Sequence, residues 1–152
     1  MPRLRGPAVV MSITNTIDCP FCNPQERVVK SNASAQMLLS DPRKVPGHTL
    51  VMPKRHVEQP WDLTPEELQD VFALIGFVEQ RVIGSLGTGC DIRQAYRPFL
   101  HQDALKINHL TFHVIPRAKD DYLYSVSEQY EQGLFAELDD LERVEVTKLL
   151  SD

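Results

Sequence analysis

The chain has 152 residues, 42% of them hydrophobic and 24% charged, a length and balance that fit one soluble domain built on a single core. Its formal charge of -5 gives no general attraction for nucleic acid or an anionic membrane, so any phosphate binding requires a local arrangement of donors. No apolar run reaches the length of a membrane span, residues 1–10 (MPRLRGPAVV) have too short an apolar core for a secretory signal, and three cysteines do not make a secreted disulfide framework; a cytoplasmic protein is expected.

Residues 1–15 carry Pro, Arg and Gly without periodicity and read as a disordered extension, with Met11 available as an alternative start. A single domain over residues 16–125 follows. It opens on a knuckle, CPFCNP, rich in turn residues, and continues with strand candidates at residues 27–30 and 35–39 before Asp41-Pro42 breaks the run. HTLVM, residues 48–52, is a further strand signal between Pro46-Gly47 and Pro53. A helix begins at Thr64: Pro65 suits its first position and Glu67 completes a capping box. Leu68, Val71, Phe72, Ile75, Val78 and Val82 recur at helical spacing until Gly84 stops the helix, which reads as core scaffold. Residues 90–96 and 106–115 read as strands joined by a loop at 98–103. The tail, 126–152, alternates acidic and apolar residues and reads as a helical segment interrupted near Gly133, packed on the domain or on a second copy. Strands mixed with one long helix, without regular βαβ alternation, favour an α+β fold with an antiparallel sheet.

The run NHLTFHVI, residues 108–115, carries the chemistry. In an extended chain Leu110, Phe112 and Val114 point to one side, the core, while His109, Thr111 and His113 form a row on the other. Two imidazoles flanking a hydroxyl can donate several hydrogen bonds to phosphate oxygens; the plain alternative is a half-buried strand with solvated histidines. Cys19 and Cys22 have zinc-knuckle spacing, against the alternatives of a redox pair or two buried thiols. A redox pair should precede a helix in a βαβ unit, whereas this one precedes a strand. Cys90 reads as a small buried residue.

The run His109-Leu110-Thr111-Phe112-His113-Val114-Ile115 resembles the signature of the histidine triad (HIT) family of nucleotide hydrolases and transferases, three histidines alternating with apolar residues. CPFC, VPGHTLVMPKRH, WDLTPEEL and HVIPR fall in the family's order over residues 19–117. The resemblance, to the zinc-containing bacterial-type branch, implies an antiparallel sheet of about five strands, a homodimer and a pocket for a nucleoside mono- or polyphosphate. It also implies a structural Zn2+ held by Cys19, Cys22, His56 and His109. Thr111 stands at the position of the family's nucleophilic histidine, so turnover is expected to be impaired or altered, with His113 left as the other catalytic group. Asp41 falls near the family's ribose-binding acid, in a loop one residue shorter, and could instead cap Pro42. His48 falls where a histidine orders the triad, or is a solvated turn residue. Ala104-Leu105-Lys106 replaces Gly-Gln-Ser/Thr, so Lys106 either holds phosphate by point charge or is an exposed lysine. Arg93 and Arg97 could reach a polyphosphate or be solvated. The alternatives to an enzyme are a non-catalytic nucleotide-binding module and a partner-binding module using an apolar patch over residues 134–150.

Overall fold

The computed structural model describes residues 19–151; the extension expected over residues 1–15 lies outside the described residues. The chain forms two compact units that divide between Ala118 and Lys119.

The first unit is a five-stranded antiparallel sheet of β1 (Val28–Ser31), β2 (Ala35–Leu39), β3 (Thr49–Pro53), β4 (Gly89–Arg93) and β5 (Phe112–Arg117), in the spatial order β1-β2-β3-β5-β4. With the helix α1 (Pro65–Val82) this is the α+β architecture expected from the sequence. Each face of the sheet carries an apolar cluster. Alternation sends Ala35, Met37, Val51, Phe112 and Val114 towards Val71, Leu74, Ile75, Val78 and Val82 of α1. Leu38, Leu50 and Met52 meet Cys19 and Phe21 of the knuckle in a second cluster. Strand β3 is buried along its whole length for this reason.

The start of α1 is fixed by reciprocal bonds: the Glu67 amide donates to Thr64 Oγ1 at 3.2 Å, and the Thr64 amide donates to Glu67 Oε2 at 3.0 Å. Arg55 adds a fork onto the same carboxylate, Nε to Oε1 and Nη2 to Oε2, each at 2.8 Å. The helix start is thereby tied to the segment that follows β3. The apolar stripe differs at its edge from the sequence expectation. Leu68 and Phe72 stay about half exposed while Leu74 is buried, because the buried line runs through positions 71, 74, 75, 78 and 82. Phe72 meets the Phe112 ring edge to face.

Strand ends also move. The run expected over residues 106–115 joins the sheet only at Phe112. Upstream, local partners take the backbone donors: Asp103 Oδ1 accepts from the Leu105 and Lys106 amides, Gln102 Oε1 from Asn108, and the Val57 carbonyl from Leu110. Residues so engaged cannot enter a ladder. The run expected over 90–96 ends at Arg93, and that over 48–52 shifts by one to end at Pro53. The sorting of faces survives, since Leu110, Phe112 and Val114 all enter the α1 side of the core.

The second unit contains a π-helical segment, Tyr124–Glu128, short helical turns at Gln129–Glu131 and Gln132–Leu134, and the helix α2 (Asp140–Ser151), which buries none of its residues. The expected interruption near Gly133 falls between Leu134 and Asp140. No helix among the described residues is long and apolar enough to cross a membrane.

Thr64→Ala removes one half of the capping box and is expected to lower unfolding stability by about 1 kcal/mol. Urea denaturation measures this, and an unchanged midpoint would show that Arg55 and Pro65 hold the helix start without the cap.

Candidate functional site

Two constellations meet at His109. The first is the cluster Cys19, Cys22, His56 and His109, whose ligand atoms all lie within 4.8 Å of one another. Each is delivered by a separate constraint. A tight turn, Cys22 N–H to the Cys19 carbonyl at 3.2 Å, puts the two thiols on one side of the knuckle. The buried Gln36 side chain, donating to the Phe21 carbonyl at 2.7 Å, pins the knuckle to β2. The Leu110-to-Val57 backbone bond draws residue 109 beside residue 56, where the two rings meet edge to face at 5.3 Å.

Within the cluster His109 Nδ1 lies 3.5 Å from Cys19 Sγ and 3.7 Å from Cys22 Sγ, and His56 Nδ1 lies 3.2 Å from Cys22 Sγ. The other nitrogens face oxygen acceptors, His109 Nε2 the Pro53 carbonyl at 2.8 Å and His56 Nε2 the Glu58 carboxylate at 3.3 Å. Those contacts favour the tautomers that carry hydrogen on Nε2 and leave both Nδ1 lone pairs for the cluster. Burial pulls His109 down to about 4 although the Pro53 carbonyl works the other way, so the imidazole is neutral at physiological pH. Burial and the neighbouring Cys19 thiol push Cys22 up to about 12. Two thiols and two imidazoles packed this closely form a donor set that a divalent cation would convert into a favourable site.

The second constellation is an open cleft of about 1180 Å³ on the knuckle side of the sheet. Asp41, His48, Lys106, Thr111 and His113 all line it, with His109 at its border. The turn at Gly47, with φ of 83°, brings His48 to the head of β3; a Cβ at Gly47 would come within 2.5 Å of Leu86 Cδ1. His48 Nδ1 accepts the Lys44 amide at 3.1 Å, and its Nε2 lies 2.9 Å from His113 Nδ1. Burial first, then His113, Lys44 and Arg93, bring His48 down to about 4. His113 is lowered as well, by burial and then by Lys44 and Arg93. Thr111 Oγ1 donates to the His109 carbonyl at 2.8 Å. Lys106 is tethered: its ammonium donates to the Leu100 carbonyl at 2.9 Å and to Asn108 Oδ1 at 2.7 Å.

Several lining residues escape the sequence reading. Arg27, Arg43, Lys44 and Asp103 are the new ones; with Arg93, Arg97 and Lys106, already candidates in the sequence, six cationic side chains border the cleft against two carboxylates, Asp41 and Asp103. The chain's net charge hides this, because residues 119–152 hold ten acidic and three basic side chains, leaving residues 1–118 with a small positive excess. Counting charge by segment is the signal that would have pointed to a basic cleft.

Known proteins share this architecture. A crystal structure of a HIT family member from Bacillus subtilis superposes with a TM-score of 0.64 at 18% identity, covering 89% of this chain and 97% of that one. A Zn-bound histidine triad family protein from Mycobacterium smegmatis gives 0.60 at 23% identity, covering 71% and 81%. These likenesses concern the fold. In sequence, the bis(5'-nucleosyl)-tetraphosphatase (asymmetrical) of Schizosaccharomyces pombe is 33% identical over 98 residues, covering 59% of this chain and 51% of the relative, so the chain spans about half the length of that protein. The family model described as the HIT domain matches residues 22–120, most of the chain, and with the triad run on β5 and its approach it establishes that this protein belongs to the HIT family.

Proposed function

We propose that this protein binds nucleoside mono- or polyphosphates in the cationic cleft, and that it is a HIT-type hydrolase or nucleotidyltransferase acting at the α-phosphorus whose turnover is impaired or altered by Thr111. The observation that carries the reading is the relay from the Lys44 amide through His48 to His113, which ends beside Thr111 in a basic cleft. A backbone N–H can only donate, so His48 Nδ1 must be its acceptor and His48 Nε2 must hold the hydrogen. That hydrogen is donated to His113 Nδ1. Neutral His113 then carries its own hydrogen on Nε2, the ring nitrogen left for a ligand. His113 is thus set up as a donor to a phosphate oxygen, and serving as a base to water would require a tautomer that the Lys44 amide opposes.

Thr111 supplies no substitute for an imidazole nucleophile. Its hydrogen is spent on the His109 carbonyl, and a phosphothreonine ester would have a far poorer leaving group than a phosphoimidazole. These contacts favour a second reading, a module that binds nucleotide without turning it over. The cleft volume of about 1180 Å³ exceeds the roughly 300–1000 Å³ usual for a small ligand, which suits an extended substrate such as the bis(5'-nucleosyl) tetraphosphate that the S. pombe relative is named for. Asp41 and Lys106 are proposed as nucleotide contacts on the rim of the same cleft.

The cation proposed for the cluster is zinc. Bond lengths of about 2.3 Å to sulfur and 2.0–2.1 Å to nitrogen make tetrahedral edges of roughly 3.4–3.8 Å, close to the sulfur–nitrogen separations of 3.2, 3.5 and 3.7 Å. Four protein ligands close the coordination sphere, so the metal would be structural and would lock the knuckle onto the approach to β5. A homodimer and a cytoplasmic setting, the latter in keeping with three free cysteines, complete the proposal.

Three measurements test these statements. Nitrogen-detected NMR at pH 7 should find both His48 and His113 with hydrogen on Nε2, and His48 should remain neutral until the pH approaches 4; a midpoint near 6.5 would refute the relay. Thr111→His should raise nucleoside monophosphate release from a dinucleoside tetraphosphate at least a hundredfold, whereas equal rates would show that Thr111 does not limit the chemistry. Protein purified without chelator should contain about one zinc per chain and lose thermal stability when the metal is stripped. Less than half an equivalent would count against the zinc assignment.

A further inference from the structure

We propose that Arg93 is the residue that selects polyphosphate over monophosphate ligands in this cleft, and that Asp91 positions it. The proposal rests on the nucleotide-binding reading above and adds the side chain that meets the phosphates beyond the one beside His113.

Register places Arg93 on β4 directly opposite His113 on β5. Residues directly opposed in an antiparallel pair project to the same face with their Cβ atoms about 4.5–5.5 Å apart, so guanidinium and imidazole leave the sheet side by side. Both residues line the cleft. Arginine is longer than histidine by several bonds, so a guanidinium in this row can reach a phosphate adjoining the one at His113. The positive charge of Arg93 contributes to the lowering of both His48 and His113, after burial, which agrees with this proximity.

Asp91, two residues earlier on the same strand face, holds this arrangement. Its Oδ2 accepts from Arg93 Nε at 3.2 Å and Nη2 at 2.7 Å, and from Arg117 Nη1 at 2.6 Å. Burial opposes the charge on Asp91, but the two arginines outweigh it and keep the carboxylate below its ordinary value. A guanidinium held in one orientation can meet two phosphate oxygens at once, and it loses less entropy on binding than a free lysine would. Each further phosphate of a ligand brings an additional negative charge past this point, whereas a monophosphate at His113 does not extend to it.

Calorimetry at fixed ionic strength, with the full chain and adenosine mono-, di- and triphosphate and diadenosine tetraphosphate as probes, tests the assignment. Wild-type affinity should rise with phosphate number, and Arg93→Gln should lower the tetraphosphate-to-monophosphate affinity ratio at least fivefold. Arg93→Lys, which keeps the charge, should lower that ratio by a smaller factor, and it decides the matter if the neutral variant fails to fold. Asp91→Asn should lower the ratio with Arg93 intact. An unchanged ratio in the Arg93 variants, accompanied only by a lower melting temperature, would make the trio a brace of the sheet edge and overturn this proposal alone. Failure of the wild type to bind any of the four probes would overturn the nucleotide reading as well.

Discussion

The buried ring of His109 couples the parts of this protein that are far apart in sequence. Its Nε2 hydrogen reaches the Pro53 carbonyl at the end of β3, its Nδ1 faces the two thiols of the knuckle, and its own carbonyl takes the Thr111 hydroxyl. The ring is neutral because it is buried, and a neutral ring is what the thiols require of a neighbour if all are to share a cation. Without this junction the knuckle would be joined to the rest of the unit through Gln36, the Cys22–His56 contact and its apolar contacts with Leu38, Leu50 and Met52. The segment entering β5 would then lose the contact that sets where Thr111 and His113 emerge.

The site combines two environments that would ordinarily exclude each other. His48 and His113 are kept uncharged by burial and nearby cations, yet they border a cleft rich in guanidinium and ammonium groups. This is consistent if the imidazoles act as oriented neutral donors and the peripheral arginines and lysines supply the charge. Backbone geometry sets the orientation, through the Lys44 amide and the left-handed turn at Gly47, so the cleft does not need a protonated histidine to be attractive to an anion.

Much of this was legible in the sequence where the determinants are local. The Thr64, Pro65 and Glu67 pattern defines the start of α1, and β2 occupies Ala35–Leu39, the strand candidate of the sequence. The period of the triad run separates Leu110, Phe112 and Val114 from the polar row even though the ladder begins only at Phe112. The unforeseen features depend on partners distant in sequence or on competing local bonds. Asp103 and Gln102 capture amides that a strand pattern assigns to the sheet, Lys106 is tied back by its own loop, and Arg55 meets Glu67 twelve residues away. The basic character of the cleft was obscured because the total charge adds an acidic C-terminal stretch to a slightly basic remainder.

Within the connection between β4 and β5, residues 97–108 close largely upon themselves: Asp103 caps the segment, Gln102 and Lys106 cross-link it, and Phe99 and Leu105 stand almost bare to solvent. A segment whose hydrogen bonds begin and end within its own length places few demands on the scaffold beneath. Its composition can drift while the sheet stays as it is, and because Arg97, Leu100 and Lys106 also form a wall of the cleft, that drift would be felt first as altered ligand preference.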